Sequence, residues 1–116
     1  MIILYGIPNC DKIKKTRAAL ERAGADYRFH DYRKDGSPES LIKTFLKHFD
    51  YMDLINTRGT TWRKLPEVQR DNLGQPAAIK LMSTQPALIK RPLLQSGDDW
   101  LLGYDEARLR SLIGSA

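Results

Sequence analysis

The sequence predicts an α/β protein in which a β-α-β unit and a β-β-α unit bracket a helical stretch. Three observations carry this reading. The N-terminal segment passes from a continuous apolar run to a helical stripe and then to strict alternation. The C-terminal segment joins two apolar runs across a glycine-bearing turn and ends in another helical stripe. Between them, apolar residues recur at helical spacing and are interrupted by Gly and Pro.

Ile2-Ile3-Leu4-Tyr5 is the kind of continuous apolar run that a strand buried on both faces requires. Gly6-Ile7-Pro8-Asn9 ends it, because Pro8 has no N–H to donate to a ladder. From Asp11 to Ala23, Ile13, Leu20 and three alanines form an apolar stripe, with Gly24 placed as a C-terminal cap. Tyr27–Asp31 alternates with period two and predicts a second strand, parallel to the first through a right-handed crossover. Tyr32–Gly36 reads as a polar turn. Ser37 is expected to cap a helix with Pro38 at its first position. Leu41, Ile42, Phe45, Leu46 and Phe49 are that helix's expected buried face.

Short pieces follow at Asp53–Asn56 and Thr60–Leu65, then a helix over Gln75–Met82 that Pro86 stops. No segment of this middle third carries a core of its own, so it reads as an insertion. Leu93-Leu94, a turn at Gln95–Asp98 and Asp99–Leu102 predict a β-hairpin with Gly97 in its loop. Asp105 is expected to cap a last helix that buries Leu109, Leu112 and Ile113. This order matches a thioredoxin-like fold with a helical insertion. The expectation is one domain over residues 1–116, with the insertion at about 37–85.

The bulk properties agree. With 116 residues, 41% hydrophobic and 28% charged, the chain has the composition of an ordinary globular domain with one core. No apolar run approaches the ~20 residues that cross a bilayer, and the apolar start is too short for a signal peptide. A single cysteine makes no internal disulfide, which points to a reducing compartment, so a soluble, cytoplasmic protein is expected. The net charge of +5 comes from bases scattered among acids, a pattern that speaks against a nucleic-acid partner. His30 and His48 are not spaced as metal ligands. Trp62 and Trp100 read as packing residues, while Tyr5 and Tyr104 are possible borders of a pocket.

Chemistry, if present, belongs to Cys10. It stands where the first strand's loop feeds the first helix, and the free N–H groups and partial positive charge there favour an anion. A free thiol of pKa ~8.5 is only about 3% thiolate at pH 7, and lowering that pKa by ~2 units takes about 2.7 kcal/mol. A helix terminus supplies at most ~2 kcal/mol, so a cation or a direct N–H bond must help. Lys12, Lys14 and Lys15 are within reach, as is an arginine arriving from elsewhere, while Asp11 opposes them. The competing reading is a structural cysteine filling space. Cys10, however, lies outside the apolar stripe and beside charged residues. As for Pro92, the residues by themselves favour an ordinary trans proline on an edge strand, and Arg91 could be a surface arginine.

The segment Ile7-Pro8-Asn9-Cys10-Asp11-Lys12-Ile13-Lys14-Lys15 resembles the active-site segment of the arsenate reductase (ArsC) superfamily, closest to its Spx and YffB branches. Asp31–Gly36, Ile55–Trp62 and Leu88–Leu93 resemble three further family segments. The resemblance implies a thioredoxin-like fold with a helical insertion. It also implies a cis Pro92 facing the thiol, and an Arg91 that partners a thiolate or an oxyanion. The family's arsenate reductases use a cysteine nucleophile, arginines that hold the oxyanion, and glutathione with glutaredoxin as electron source. This sequence departs from them at several positions. Asp11-Lys12-Ile13 replaces a small Gly-Thr-Ser stretch, Gly6 stands in place of a histidine, and Gly103 stands near the place of a late arginine. Arg58 is an approximate counterpart of the middle arginine.

The expected function is that of a thiol oxidoreductase with glutathione as co-substrate and no bound cofactor. Cys10 and Arg91 would be catalytic, with Asn9, Lys12, Lys14, Arg58 and Pro92 binding the substrate. Glutathione or glutaredoxin would supply the resolving thiol. The alternatives are an Spx-like regulator that binds a protein partner such as RNA polymerase, and an arsenate reductase.

Overall fold

A computed structural model describes residues 1–116. In chain order the elements are β1 (Ile2–Gly6), α1 (Asp11–Arg22), β2 (Tyr27–Asp31), α2 (Tyr32–Asp35) and α3 (Glu39–Phe45). There follow α4 (Tyr51–Leu54), α5 (Thr60–Arg63), α6 (Glu67–Asp71), α7 (Gln75–Thr84) and a 3-10 turn at Pro86–Leu88. β3 (Leu93–Ser96), β4 (Asp99–Leu102) and α8 (Glu106–Ser115) complete the chain. Two compact units result: Met1–Asp35 with Arg91–Ala116, and Gly36–Lys90.

The first unit is built on a four-stranded sheet of order β2-β1-β3-β4. β1 and β2 run parallel, as a βα crossover requires, and β3 and β4 are antiparallel to their neighbours. Alternation then sorts the side chains. Ile2 and Leu4 of β1, Leu94 of β3 and Leu101 of β4 meet Ile13 and Leu20 of α1 and Leu109 and Leu112 of α8 in one core. Tyr5 and His30, opposite each other in register, have the other parity and lie on the other face. The mixed sheet with this order is the thioredoxin-like fold that the element pattern predicts.

Local chemistry sets the ends of α1 and α8. Gly24, at φ +65°, follows the last turn of α1; its N–H donates to the Glu21 carbonyl, and that of Ala25 to Leu20. These two bonds are a Schellman cap, whose left-handed residue glycine adopts without a Cβ penalty. Asp105 caps α8 as expected, its carboxylate accepting from the Arg108 N–H at 3.1 Å. The hairpin loop is narrower than the sequence suggests. Gln95 and Ser96 are still paired, and only Gly97 and Asp98 turn, with Gly97 at φ +59° in the first loop position that a type II′ turn reserves for glycine.

In the second unit α3 packs on α7, and Ile42, Phe45, Ala78, Ile79 and Met82 are buried. Ser37 is not the cap of α3. Pro38 takes that position with extended angles, and its carbonyl accepts from Leu41 and Ile42. The Ser37 hydroxyl is buried and donates to the Ser83 carbonyl at 2.9 Å, a long-range partner that displaced the local one. Leu41, Leu46 and Phe49 are only half-buried. α7 runs two residues past Met82, and α6 is a helix that the apolar pattern, with Val68 exposed, did not announce. Ile55 bridges Ile89, flanked by bonds from Asn56 N–H to Leu88 at 2.7 Å and from Lys90 N–H to Leu54 at 2.8 Å.

The polar turn expected at Tyr32–Gly36 is a helical turn whose Tyr32 is 2% exposed. Pro92 is no edge residue either. It leads into β3, an inner strand, through a cis Arg91–Pro92 bond, as the family resemblance implied and as the residues alone did not. No helix is long and apolar enough to cross a membrane.

Candidate thiol site

Cys10 is the N-cap of α1, with extended angles of φ −145° and ψ 129°. It arrives there through a tight turn centred on Asn9, closed by its own N–H donating to the Pro8 carbonyl at 3.0 Å. Its carbonyl accepts the first helical bond, from Lys14 N–H at 3.0 Å. An N-cap side chain faces the amides two and three residues on, where Ser or Asp normally places an oxygen. Here a sulfur stands in that place. As a neutral thiol it makes no capping bond, but as a thiolate it becomes the acceptor those amides lack.

Opposing effects act on this group. Partial burial pushes the thiol pKa up. The Ile13 N–H, the Arg91 guanidinium as donor, the Lys12 N–H and the charge of Arg91 pull it down and prevail, so the pKa lies below that of an ordinary cysteine. The cation that the helix terminus needed is therefore an arginine from the entrance of β3, not a lysine of α1. Lys12 acts through its backbone, and its exposed ammonium group has no part in the shift. Lys15 lies over the Tyr104 ring, 4.8 Å from its centroid, and Arg17 over the Phe29 ring at 4.7 Å. Nor does Asp11 act against the thiolate as expected, since its exposed carboxylate is screened by water.

Cys10, Arg91 and the Lys12 amide come together, and Pro92 follows Arg91 directly. Asn9 and Lys14 are exposed beside the thiol in sequence, with no side-chain bond to it. Arg58 belongs to the second unit; it is exposed, with its N–H bonded to Asn56 Oδ1 at 3.3 Å and its carbonyl accepting from Arg63 at 2.7 Å. Tyr5 is buried beside His30 and Tyr32, ring centroids 5.2 and 6.4 Å away. The Ile13 amide is a participant that sequence reasoning passed over, because Ile13 was read only as a core residue. Counting three positions from the N-cap would have found it.

Two glycines limit what else the site can hold. A Cβ on Gly6 would meet Ile13 Cδ1 and lie 2.9 Å from Ile13 Cγ1. A side chain at this position would therefore have to displace the buried Ile13 side chain. Gly103 follows β4 at φ +85°, and its N–H donates to the Pro92 carbonyl at 2.8 Å. A side chain at that position is disfavoured by the left-handed backbone.

The ArsC family model matches residues 5–112. A solved structure described as a YffB protein superposes with a TM-score of 0.91 and 35% identity, covering 97% of this chain and 99% of that one. An arsenate reductase (ArsC) related protein from Brucella melitensis is 42% identical with a TM-score of 0.79, over 95% of this chain and 92% of its own. The global transcriptional regulator Spx of Streptococcus mutans is 30% identical over 97% of this chain and 83% of its length. The thiol segment, the sheet order and these matches agree: the chain is a member of the ArsC family, in its Spx and YffB branch.

Proposed function

We propose that the protein is a thiol oxidoreductase of the reducing cytoplasm that uses glutathione. One observation supports this above the others: the Cys10 sulfur is stabilised as an anion by two helix amides and Arg91. The Cys10 thiolate attacks one sulfur of a glutathione-containing disulfide. A Cys10–glutathione bond forms as the old S–S bond breaks, and the departing thiolate takes a proton from water. A second glutathione, or a glutaredoxin thiol, attacks the mixed disulfide, restoring the Cys10 thiolate and leaving as oxidised glutathione or the glutaredoxin mixed disulfide. An external resolving thiol fits a chain with one cysteine. Arg91 steadies the attacking and leaving thiolate, and the exposed Asn9, Lys12 and Lys14 are available to the tripeptide's carboxylates.

Incubation with oxidised glutathione, read by intact mass, is the test. Glutathionylation of the wild type and none of Cys10→Ser is expected, and an unmodified wild type after long exposure would sink the reading.

The Spx likeness favours a second reading, binding to RNA polymerase. The Cys-x-x-Cys switch of Spx-type redox sensing has no counterpart here, since Ile13 fills the second position and is buried in the core. Retention of RNA polymerase from a bacterial lysate would favour this reading. Arsenate reduction has least support, because a histidine at Gly6 would have to displace the buried Ile13 side chain and Gly103 takes a positive φ that side chains rarely adopt. We expect no rescue of an arsenate-sensitive strain.

A further inference from the structure

α1 and α8 share a core on one face of the sheet. Beside that core, Ala19 and Ala23 at the end of α1 stand across from Leu109 and Ile113 of α8, each pair one turn apart on its helix. A methyl group reaches little beyond the backbone, so the two helices leave a groove of about 350 Å³ between them, with the Tyr104 ring also in its wall. That is roughly twice the ~150 Å³ cavity that takes up a benzene, room for two leucine-sized or ring-sized side chains. Leu109 is 3% exposed, and Ala19 and Ile113 are half-buried, so the apolar floor is recessed.

Cations line both walls. Arg22 of α1 makes no ion pair, and Arg110 of α8 bridges only Glu106, at 3.6 Å with the two side chains 75% and 73% exposed. A pair that exposed holds Arg110 weakly. Lys15, 4.8 Å from the Tyr104 ring centroid, adds a third cation beside the groove. Three cations and one anion around an apolar floor complement an occupant that is apolar on one side and acidic at its borders. An amphipathic helix meets this description, with two anchors one turn apart and carboxylates beside them. A second copy does not, because its matching face would set Arg22, Arg110 and Lys15 against like charges, in a chain of net charge +5. Nor does a bilayer, since a floor recessed below its rim cannot reach into lipid.

We propose that the groove between α1 and α8 is a docking site for an acidic amphipathic helix of another protein. Ala19 lies about 13 Å beyond Cys10 at the rise of an α-helix, so the groove is separate from the thiol and does not rest on the thiol reading.

The probe is a synthetic helical peptide with two leucines one turn apart and glutamates flanking them, titrated into the full chain and followed by backbone amide shifts. Saturable shifts are expected, confined to residues 19–23 and 104–113. Arg22→Glu and Arg110→Glu are surface changes, and each should weaken binding about fivefold, the effect of turning an exposed ion pair into a like-charge pair. Arg108→Glu makes the same change of charge on an exposed residue of α8 outside the groove and should leave the affinity unchanged. A peptide with lysines for the glutamates should bind the Arg22→Glu/Arg110→Glu pair more tightly than the wild type. Alanines in place of the leucines should abolish the saturable shifts.

No saturable shift with the acidic peptide overturns the proposal, as does an equal loss in Arg108→Glu, which would mark attraction to the overall charge. Groove shifts that grow with protein concentration in the absence of peptide would make a second copy the occupant. Groove shifts on adding phosphatidylglycerol vesicles but not the peptide would make it a lipid surface. Either result also overturns the proposal, and none of these outcomes bears on the thiol.

Discussion

Replacing Gly6 by alanine adds one methyl group at the closest approach of β1 to α1. The new Cβ would meet Ile13 Cδ1 and lie 2.9 Å from Cγ1. Ile13 is 0% exposed and shares its core with Ile2, Leu4, Leu20 and Leu94. It is β-branched and stiff at χ1 within a helix, which holds Cγ1 in place and leaves only Cδ1 to turn aside. Forcing an extra methyl into a filled core costs about 1–3 kcal/mol. For a domain of about this size, each kcal/mol lowers Tm by roughly 3–6 °C. Urea unfolding of Gly6→Ala should therefore show an earlier midpoint with an unchanged slope. Ile13→Val removes Cδ1, the atom nearest the new methyl, and alone costs about 0.5–1.5 kcal/mol. In the double variant the two losses should overlap, with a favourable coupling of about 1 kcal/mol. The Ile13 N–H faces Cys10, so Gly6→Ala should also slow alkylation of the thiol at pH 7. Strict additivity in the cycle, or a Gly6→Ala variant as stable as the wild type, refutes the steric argument.

Arg91→Met removes the only side-chain cation that pulls on the thiol, and alkylation at pH 7 should slow roughly tenfold, the low end for a hydrogen bond to a charged group. In the wild type the alkylation rate should rise with pH through a midpoint below that of a free thiol and level off above it. The sign for stability follows from the lowered native pKa. The thiolate's contribution is present above the unfolded-state value and lost as pH falls through the native one, so wild type minus Cys10→Ser stability should shrink over that window. Gly103→Ala places a Cβ at φ +85° and should cost about 1–2 kcal/mol in urea unfolding, more than an alanine at the solvent-facing Gly114, which takes no positive φ. Asp105→Ala leaves the Arg108 N–H without its cap and should cost about 1 kcal/mol, with early fraying of α8 seen by hydrogen exchange.

The features readable from the chain alone were those whose cause lies within a few residues. β1 follows from its apolar run, β2 from alternation, the hairpin from two apolar runs about a glycine turn, α1 from its stripe and Gly24, and α8 from Asp105. Cys10 at the head of α1 is local too, since the amides that hold it belong to Lys12 and Ile13. Local reasoning failed where a distant group competed better than a near one. Ser37 bonds to Ser83 instead of capping α3, and Tyr32 entered the core instead of a polar turn.

The same limit explains the cation. Three lysines near Cys10 were candidates beside an arginine from elsewhere, but their ammonium groups sit on long exposed stems in water, where charge is screened and conformations are many. Arg91 is far away in sequence, and its place is set by β3 pairing with β1. Sequence alone determined the fold class and the thiol at its helix cap, because both rest on short-range periodicity and capping. Local reasoning left the cation open between those lysines and a distant arginine, and strand pairing, which brings residues together regardless of their separation along the chain, decided for Arg91.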